Sequence, residues 1–292
     1  MKKFLISTTV IVLTTCGLYA QDVKFGIRGG TNMANMVTVK STPASDGYDG
    51  RIAPGWGIFT ELQLNPAVSL RLGVEYSGMG GKKNGMQALP TMRLITEMGN
   101  SMGLMSTPEQ IENLQQIAGV MLSQCPYYYA DIDNTAKFDY VMIPVLAQFG
   151  WNVGQSPWRV YVNAGPFVSF LLSGKQVSMG TSKMYADASG TSTLWDIVPP
   201  PIKGIIAEEF SGMANTLNEP VPFGTTNITG EMKSANFGVT GNLGIRYQCN
   251  RNYFFLEAGG NYGFVAIQDD KTNGSNRIGA LSVMAGYAFS LF

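Results

Sequence analysis

The C-terminal stretch, residues 276–292 (NRIGALSVMAGYAFSLF), constrains the fold more than any other part of the sequence. Large apolar side chains alternate in it with small or polar ones: Leu281, Val283, Ala285, Tyr287, Phe289 and Leu291 share one parity. This period of two predicts a β-strand with one apolar face. An exposed edge strand of this kind would promote aggregation in water. As the closing strand of a membrane barrel, it would have both edges paired and its aromatic residues at the membrane interface.

The composition favours the membrane alternative. Hydrophobic residues make up 45% of the chain and charged residues 14%, whereas ordinary soluble domains contain about 25% charged residues. No segment after the N-terminus has the roughly 18 uncharged apolar residues that a spanning helix needs. A membrane β-barrel reconciles these features because its apolar residues occupy alternate positions. The alternative is a soluble all-β sandwich, which normally carries more surface charge.

The N-terminus has the pattern of a secretory signal peptide. Lys2 and Lys3 precede an apolar run over residues 4–13, and Ala20 offers a small residue at a cleavage point. The run is too short to span a membrane. We therefore predict a signal peptide over residues 1–20 and a single barrel domain over residues 21–292. Lipidation at Cys16 is the alternative, and both readings export the chain.

Charge and residue usage exclude several functional classes. Removing Lys2 and Lys3 with the signal leaves 18 basic and 20 acidic residues, a net charge of −2, which gives no indication of nucleic-acid binding. The chain has no histidine, so it lacks the commonest general base and a usual metal ligand. The adjacent acids Glu208–Glu209 and Asp269–Asp270 are more typical of solvated loops than of acid–base sites. We expect a protein that is not an enzyme and that has no cofactor and no metal site.

About eight segments alternate with period two, and short turns and long loops join them in turn. The predicted strands cover residues 22–31, 56–64, 69–77, 138–151, 158–172, 235–248, 253–267 and 276–292. This rhythm is typical of an all-β, up-and-down antiparallel transmembrane barrel with short periplasmic turns and long outer loops. A further hairpin within residues 173–233 would raise the count to ten. Pro144 lies inside the fourth strand, where we expect irregular pairing because proline cannot donate to the ladder.

Two large insertions interrupt the pattern, at residues 80–136 and 173–233. In the first, Thr107 and Pro108 have the residue types of a helix cap and first helical position, and a shorter helix is predicted near residues 91–98. Residues 32–52 are polar and predicted to be a loop. Cys125 lies in an outer loop and Cys249 in a periplasmic turn, so we expect these two cysteines not to form a disulfide.

If the apolar parity of each strand faces lipid, the opposite parity faces the lumen. Seven charged residues would then lie inside the barrel: Lys24, Arg28, Glu61, Arg71, Glu75, Arg246 and Glu257. Charges in a narrow barrel desolvate badly unless they pair. We expect a charge network that fills the interior, because an eight-stranded barrel is only wide enough for its own side chains or one small ligand.

The closing strand also carries a predicted membrane-assembly signal. Its residues are Gly286, Tyr287, Phe289, Leu291 and Phe292. Closing the barrel requires this strand to pair with the first one, residues 22–31. The expected partners are accordingly the lipid bilayer of the outer membrane and the barrel-assembly machinery.

Several short motifs are shared with a known barrel family. Residues 139–146 (DYVMIPVL) and residues 163–168 (NAGPFV) resemble the D-Y-L-E-I-P-L-L stretch and the N-x-G-P-Y strand, respectively, of the PorT-like outer-membrane β-barrel family. Phe237-Gly238 with Gly241 and Gly244, and the closing residues 286–289, resemble later strands. The resemblance implies an outer-membrane barrel but no single activity, and Met142 stands where the family often has Glu.

Function would then reside in the outer loops. We expect a structural or binding role, toward another envelope protein or a surface ligand, located on the two insertions. A small-solute channel and an accessory barrel of a protein-secretion machine are the alternatives.

Overall fold

The computed structural model describes residues 22–101 and 107–290, so the predicted signal peptide and Cys16 lie outside the described residues. Its strands are β1 (Asp22–Lys40), β2 (Asp49–Gln63), β3 (Val68–Lys83), β4 (Met86–Pro90), β5 (Tyr127–Asp131), β6 (Asp133–Asn152), β7 (Trp158–Met179), β8 (Thr181–Ser182), β9 (Val221–Pro222), β10 (Thr225–Asn227), β11 (Ala235–Cys249), β12 (Asn252–Gly263) and β13 (Ser275–Ser290). Its helices are α1 (Thr91–Ser101), α2 (Pro108–Gln124), α3 (Leu194–Ile197), α4 (Pro200–Glu209) and α5 (Ser211–Asn218), with a 3₁₀ turn over Thr229–Glu231.

Eight of these strands form a closed antiparallel barrel in the order β1-β2-β3-β6-β7-β11-β12-β13. The last strand pairs with the first, with Ile27 opposite Tyr287 and Thr31 opposite Val283. This confirms the predicted fold class and the predicted closing pair. The ten-stranded alternative is wrong: the second insertion adds to the barrel sheet only the three-residue β10, which pairs with β7 at Lys175–Val177, while β8 and β9 form a separate two-stranded sheet.

The barrel strands reach further outward than predicted. β1 continues to Lys40 and β2 begins at Asp49, so most of the segment predicted as a loop at residues 32–52 is strand. β7 has 22 residues, whereas crossing a membrane takes about 9–11. The outer ends of the strands therefore extend beyond the membrane, where polar residues obscure the alternation. The insertions shrink accordingly to residues 84–132 and 180–234.

Pairing of β6 is irregular on both sides at or next to Pro144, as predicted. Toward β3, pairing stops after Val145 opposite Leu72 and resumes at Met142 opposite Glu75. Toward β7, it stops between Pro144 and Ala147. The register is unchanged across both gaps, so the strand tolerates the missing donor by local separation.

The outer wall of the barrel is apolar. Ile27, Ile58 and Leu281 are each at least 59% exposed, and they lie on the parity that faces away from the interior. Aromatic pairs mark the end of the barrel with the short turns: Trp158 with Tyr247 at 5.0 Å and Phe254 with Tyr287 at 4.9 Å between ring centroids. Such a band bounded by aromatic rings matches the surface of a membrane barrel. Among the described helices, none has the length and apolar character needed to span a membrane.

The two insertions fold together into one loop subdomain, residues 84–132 and 180–234. Its core combines Ile117 and Met121 of the first insertion with Ile206 and Phe210 of the second. The Tyr129 and Tyr185 backbones exchange hydrogen bonds of 2.8 Å between the insertions. The predicted helices near Thr91 and after Thr107 are both present, and the Thr107 hydroxyl accepts from the Gln110 amide at 3.2 Å. Helices α3, α4 and α5 were not predicted.

Candidate functional site: a filled lumen beneath a loop vestibule

The structure places all seven charged residues of the expected lumen network inside the barrel. None of them is more than 8% exposed. They come from strands β1, β2, β3, β11 and β12, at positions where the alternation turns the side chain inward. Lys24 lies opposite Glu61 in the β1–β2 register, and the other six side chains form a continuous set of ion pairs.

Glu257 is one centre of this network. Its carboxylate pairs with the Arg71 guanidinium and with Arg28 Nη1 at 3.3 Å. Tyr161 donates its hydroxyl proton to Glu257 Oε1 at 2.8 Å, and Asn163 Nδ2 donates to the same oxygen at 3.1 Å. A buried carboxylate needs this number of donors to offset the loss of water.

Glu61 is the second centre. Arg246 Nη1 lies 3.1 Å from Glu61 Oε1, and Arg71 Nη2 lies 3.7 Å from Glu61 Oε2. Tyr253 donates its hydroxyl proton to the same carboxylate. Arg71 therefore bridges Glu61 and Glu257, and its guanidinium also packs 4.3 Å from the centroid of the Phe59 ring.

A glycine allows the third carboxylate to join. Arg28 on β1 and Glu75 on β3 flank β2 at the level of Gly57. A Cβ atom at Gly57 would lie 2.7 Å from the Glu75 side chain. With no side chain at position 57, Arg28 Nη1 reaches Glu75 Oε1 at 3.3 Å across the intervening strand.

Sequence reasoning missed the neutral partners of this network and one cation. These are Arg159, Tyr161, Asn163, Asn242 and Tyr253, all at most 9% exposed. Each lies on the inward parity of its strand. Tyr161, for example, lies between Val160 and Val162 on β7. Parity alone would have identified them, if polar and aromatic residues had been considered together with the charged ones.

Aromatic rings cover three inward-facing glycines. The rings of Phe59, Tyr161 and Phe255 lie over Gly26, Gly244 and Gly286, each on a neighbouring strand, where a Cβ atom would overlap the ring. These rings fill the interior beside the ion pairs. Inside the barrel, near its outer mouth, lies an apolar layer that includes Met79, Phe138, Tyr140 and Ile278. The two cavities described between the barrel walls measure only about 10 Å³ each.

The residues of the predicted assembly signal have two different environments. Gly286 faces the interior beneath Phe255. Tyr287 and Phe289 contact outward-facing rings, Phe289 lying 6.5 Å from Phe25 between centroids. Leu291 and Phe292 lie outside the described residues.

A vestibule of about 730 Å³ lies at the outer mouth of the barrel. All four long connections contribute to its walls, at residues 44–48, 87–97, 226–232 and 268–274. Met36, Phe138 and Ile228 supply apolar surface from the layer that closes the lumen. The vestibule is thus a cup with a closed floor, of a volume typical of small-molecule sites.

The remaining candidates lie outside the lumen. Glu208 and Glu209 are exposed, and Glu209 accepts from Asn113 Nδ2 at 2.8 Å. Asp269 and Asp270 line the vestibule. Hydrogen bonds from the Thr272 hydroxyl and backbone lower the pKa of Asp270, so its carboxylate stays ionised at neutral pH. Within residues 22–101 and 107–290, no three His, Cys, Asp or Glu residues are grouped to hold a metal ion.

Cys125 and Cys249 are free thiols, and they lie at opposite ends of the barrel, as the predicted topology requires. Cys125 is buried in the loop subdomain core, and Cys249 is exposed as the last residue of β11. Burial raises the pKa of the Cys125 thiol.

The family assignment agrees with this geometry. The sequence model of the outer membrane protein beta-barrel domain matches residues 19–268, most of the chain. The chain belongs to this family of outer-membrane β-barrels. Its barrel therefore lies in the outer membrane, with the apolar wall toward lipid and the short turns on the periplasmic side.

Solved outer-membrane barrels are similar to this family member at low sequence identity. OprG of Pseudomonas aeruginosa aligns at 9% identity over 94% of this chain and 97% of that one, with a TM-score of 0.36. Neisserial surface protein A aligns at 12% identity over 92% and 96%, with a TM-score of 0.34. Ail of Yersinia pestis aligns at 10% identity over 92% and 100%, with a TM-score of 0.33. No curated protein sequence matches at a significant level.

Proposed function

We propose that this outer-membrane β-barrel is a non-conducting, non-enzymatic binding protein, whose ligand or partner site is formed by the outer loops. One observation carries the proposal. The two insertions share a single hydrophobic core and, with the other two outer loops, enclose a vestibule above a filled lumen. Loops of this size and order go beyond what closing an eight-stranded barrel requires, and binding sites concentrate on such loops.

The filled interior argues against the small-solute channel. Ion pairs from Glu61 to Glu75 lie across the barrel, and the apolar layer around Phe138 lies above them. Passage of a solute would require several buried charges to separate in a medium of low dielectric constant. The lumen of this protein therefore serves as its core.

The resemblance to PorT-like barrels is also compatible with an accessory role in protein secretion. In that role the protein would still act by binding a partner. Its motifs, residues 139–146 and 163–168, lie on the barrel strands β6 and β7. They describe the scaffold and leave both insertions unexplained. On this view the partner would be another envelope protein that contacts the loop subdomain.

The proposal is tested by replacing residues 84–132 and 180–234 together with short Gly-Ser turns. Both insertions must be removed, because removing one would expose half of the shared core to water. The replaced barrel should keep its heat-modifiable gel mobility and lose the surface-crosslinked partners and the phenotype of the intact gene. The matched control replaces the periplasmic turn, residues 153–157, in the same way. Full function of the doubly replaced barrel would contradict the proposal.

A further inference from the structure

The vestibule wall presents hydrogen-bond acceptors that lack partners. Gln87 and Asn134 line it, each only 2% exposed, and neither Gln87 Oε1 nor Asn134 Oδ1 has a hydrogen-bond partner. The orientation of Gln87 is fixed, because its amide nitrogen donates to the backbone oxygens of Lys83 and Ile132. Its carbonyl oxygen is therefore committed as an acceptor, and a bound group would have to donate.

The charged residues of the lining also favour a ligand group that donates hydrogen bonds. Four acids line the vestibule, Glu97, Glu231, Asp269 and Asp270, against one cation, Arg93. Arg93 is already engaged, with Nε 2.9 Å from Glu97 and Nη1 3.6 Å from Glu231. This leaves the adjacent Asp269 and Asp270 as the negatively charged side of the vestibule.

Two lysines on the neighbouring strands do not enter the lining. Lys40 Nζ donates to the Lys271 carbonyl at 2.8 Å, and Lys83 Nζ donates to the Pro43 carbonyl at 3.1 Å. Their ammonium groups are engaged with loop carbonyl oxygens, and Lys40 also contributes to the lowered pKa of Asp270. The apolar part of the cup, around Phe138 and Ile228, lies toward the barrel interior.

We propose that the vestibule binds small cationic amphiphiles, in which an ammonium group is attached to a compact apolar body. The ammonium group would donate to the acidic side at Asp269 and Asp270 and to the committed acceptor, Gln87 Oε1. The apolar body would rest on Phe138 and Ile228. This inference rests on the proposed binding function and specifies its ligand class.

Isothermal titration calorimetry of the full chain in lipid nanodiscs tests the inference with 2-phenylethylamine as the probe. Two matched analogues vary one property each: 2-phenylethanol lacks the charge, and ethylamine lacks the aromatic ring. We expect saturable binding of 2-phenylethylamine at one site, at least roughly tenfold tighter than either analogue, and weakening with added salt. Equal binding of the amine and the alcohol would overturn the cationic preference.

Two variants locate the site. Gly230 lines the vestibule, and an added Cβ there meets no atom within 4 Å, so Gly230→Trp should fill the cup and abolish binding. Gly119 also has open space but lies on α2 outside the lining, and Gly119→Trp should bind normally. The double variant Asp269→Asn and Asp270→Asn should weaken binding roughly fivefold or more. Unchanged binding by Gly230→Trp would place any amine site elsewhere and refute the inference.

Failure of the assigned ligand class is distinguishable from failure of the proposed binding function. If 2-phenylethylamine does not bind while loop replacement still removes the crosslinked partners, the ligand class is wrong and the binding role stands. If loop replacement leaves partners and phenotype unchanged, both proposals fail.

Discussion

At the residue scale, the interior depends on carboxylates that each neutralise two guanidinium groups. Glu257 pairs with Arg28 and Arg71, and Glu61 pairs with Arg71 and Arg246. Because Arg71 pairs with both carboxylates, the loss of either one leaves guanidinium charge uncompensated on several strands. Buried pairs of this kind add little over an apolar core, yet breaking one is costly.

We predict that Glu257→Gln lowers the free energy of unfolding by about 3–5 kcal/mol, since it leaves two buried guanidinium groups with half their counter-charge. Urea unfolding in lipid vesicles measures the change. Glu208→Gln, at an exposed position of the loop subdomain, is the control and should stay within about 0.5 kcal/mol of the parent. Equal stability of the two variants would show that the lumen charges do not act as a network.

The two cysteines should differ in reactivity. Burial raises the pKa of Cys125, so less of its reactive thiolate is present at a given pH, and its sulfur donates to the Tyr127 carbonyl at 2.7 Å. In a chain that starts at Gln21, iodoacetamide at pH 8 should alkylate Cys249 rapidly and Cys125 slowly, as followed by peptide mass mapping. Raising the pH to 9 should accelerate Cys125. Rapid alkylation of Cys125 at pH 8 would contradict its buried position.

Individual lumen residues were predictable where they carry charge on a clear alternation, as for Arg71 between Leu70 and Leu72. Their pairing was not, because Gly57 opens the route from Arg28 to Glu75 through the absence of a side chain. Register across three strands decides such a contact. Alternation within one strand does not contain that information.

At the element scale, the covered glycines couple neighbouring strands. On β1, Gly26 faces inward beneath the Phe59 ring, whereas an added Cβ at Gly29 would meet only Trp56 and Gly55, at 3.8 and 3.9 Å. These two positions on one strand form a matched pair, one close-packed and one with ordinary contacts.

We predict that Gly26→Ala destabilises the barrel by about 1–3 kcal/mol, because the methyl group overlaps the ring, whereas Gly29→Ala is tolerated. Phe59→Ala should remove most of the additional cost of Gly26→Ala in a double-mutant cycle. Urea unfolding in vesicles of the parent, the double-mutant cycle variants and Gly29→Ala provides the measurement. Additive effects at positions 26 and 59 would argue against the ring-over-glycine contact.

Removing residues 286–292 should block assembly. The deletion takes away the β13 positions opposite Lys24, Phe25, Gly26, Ile27 and Arg28, and so exposes unpaired strand edges in lipid. Heat-modifiable mobility of outer-membrane fractions reports the outcome. A control with Ser290→Ala, which keeps the backbone pairing, should assemble normally. Normal insertion of the truncated chain would refute the role of this segment.

Elements were predictable where the membrane imposes alternation, and less so outside it. β13 and the Thr107 cap follow from local patterns. The outer half of β1 was missed because Thr38 and Lys40 are exposed to water and need not be apolar. Helix α3 has only four residues, so it provides no helical period to detect. Helix α4 begins inside a proline run, which obscures the period of its buried residues Ile202 and Ile206.

At the scale of the whole molecule, the barrel combines a core inside its lumen with a second core in its loops. The first is polar and aromatic, and the second is apolar and shared by two insertions that are distant in sequence. That sharing could not be predicted, because contacts between residues 84–132 and 180–234 depend on the barrel bringing the loops together. The family model matches residues 19–268, a range that includes the whole loop subdomain.

The central claim is that the lumen is filled and that function resides in the vestibule and loop subdomain. Planar-bilayer recording of the purified full-length barrel tests it most directly. We predict no steady conductance above the baseline at moderate voltage, because an eight-stranded barrel filled by ion pairs and rings leaves no aqueous path. The doubly loop-replaced barrel should also remain closed, since the plug lies within the strands. A steady, large conductance from the intact protein would contradict the account.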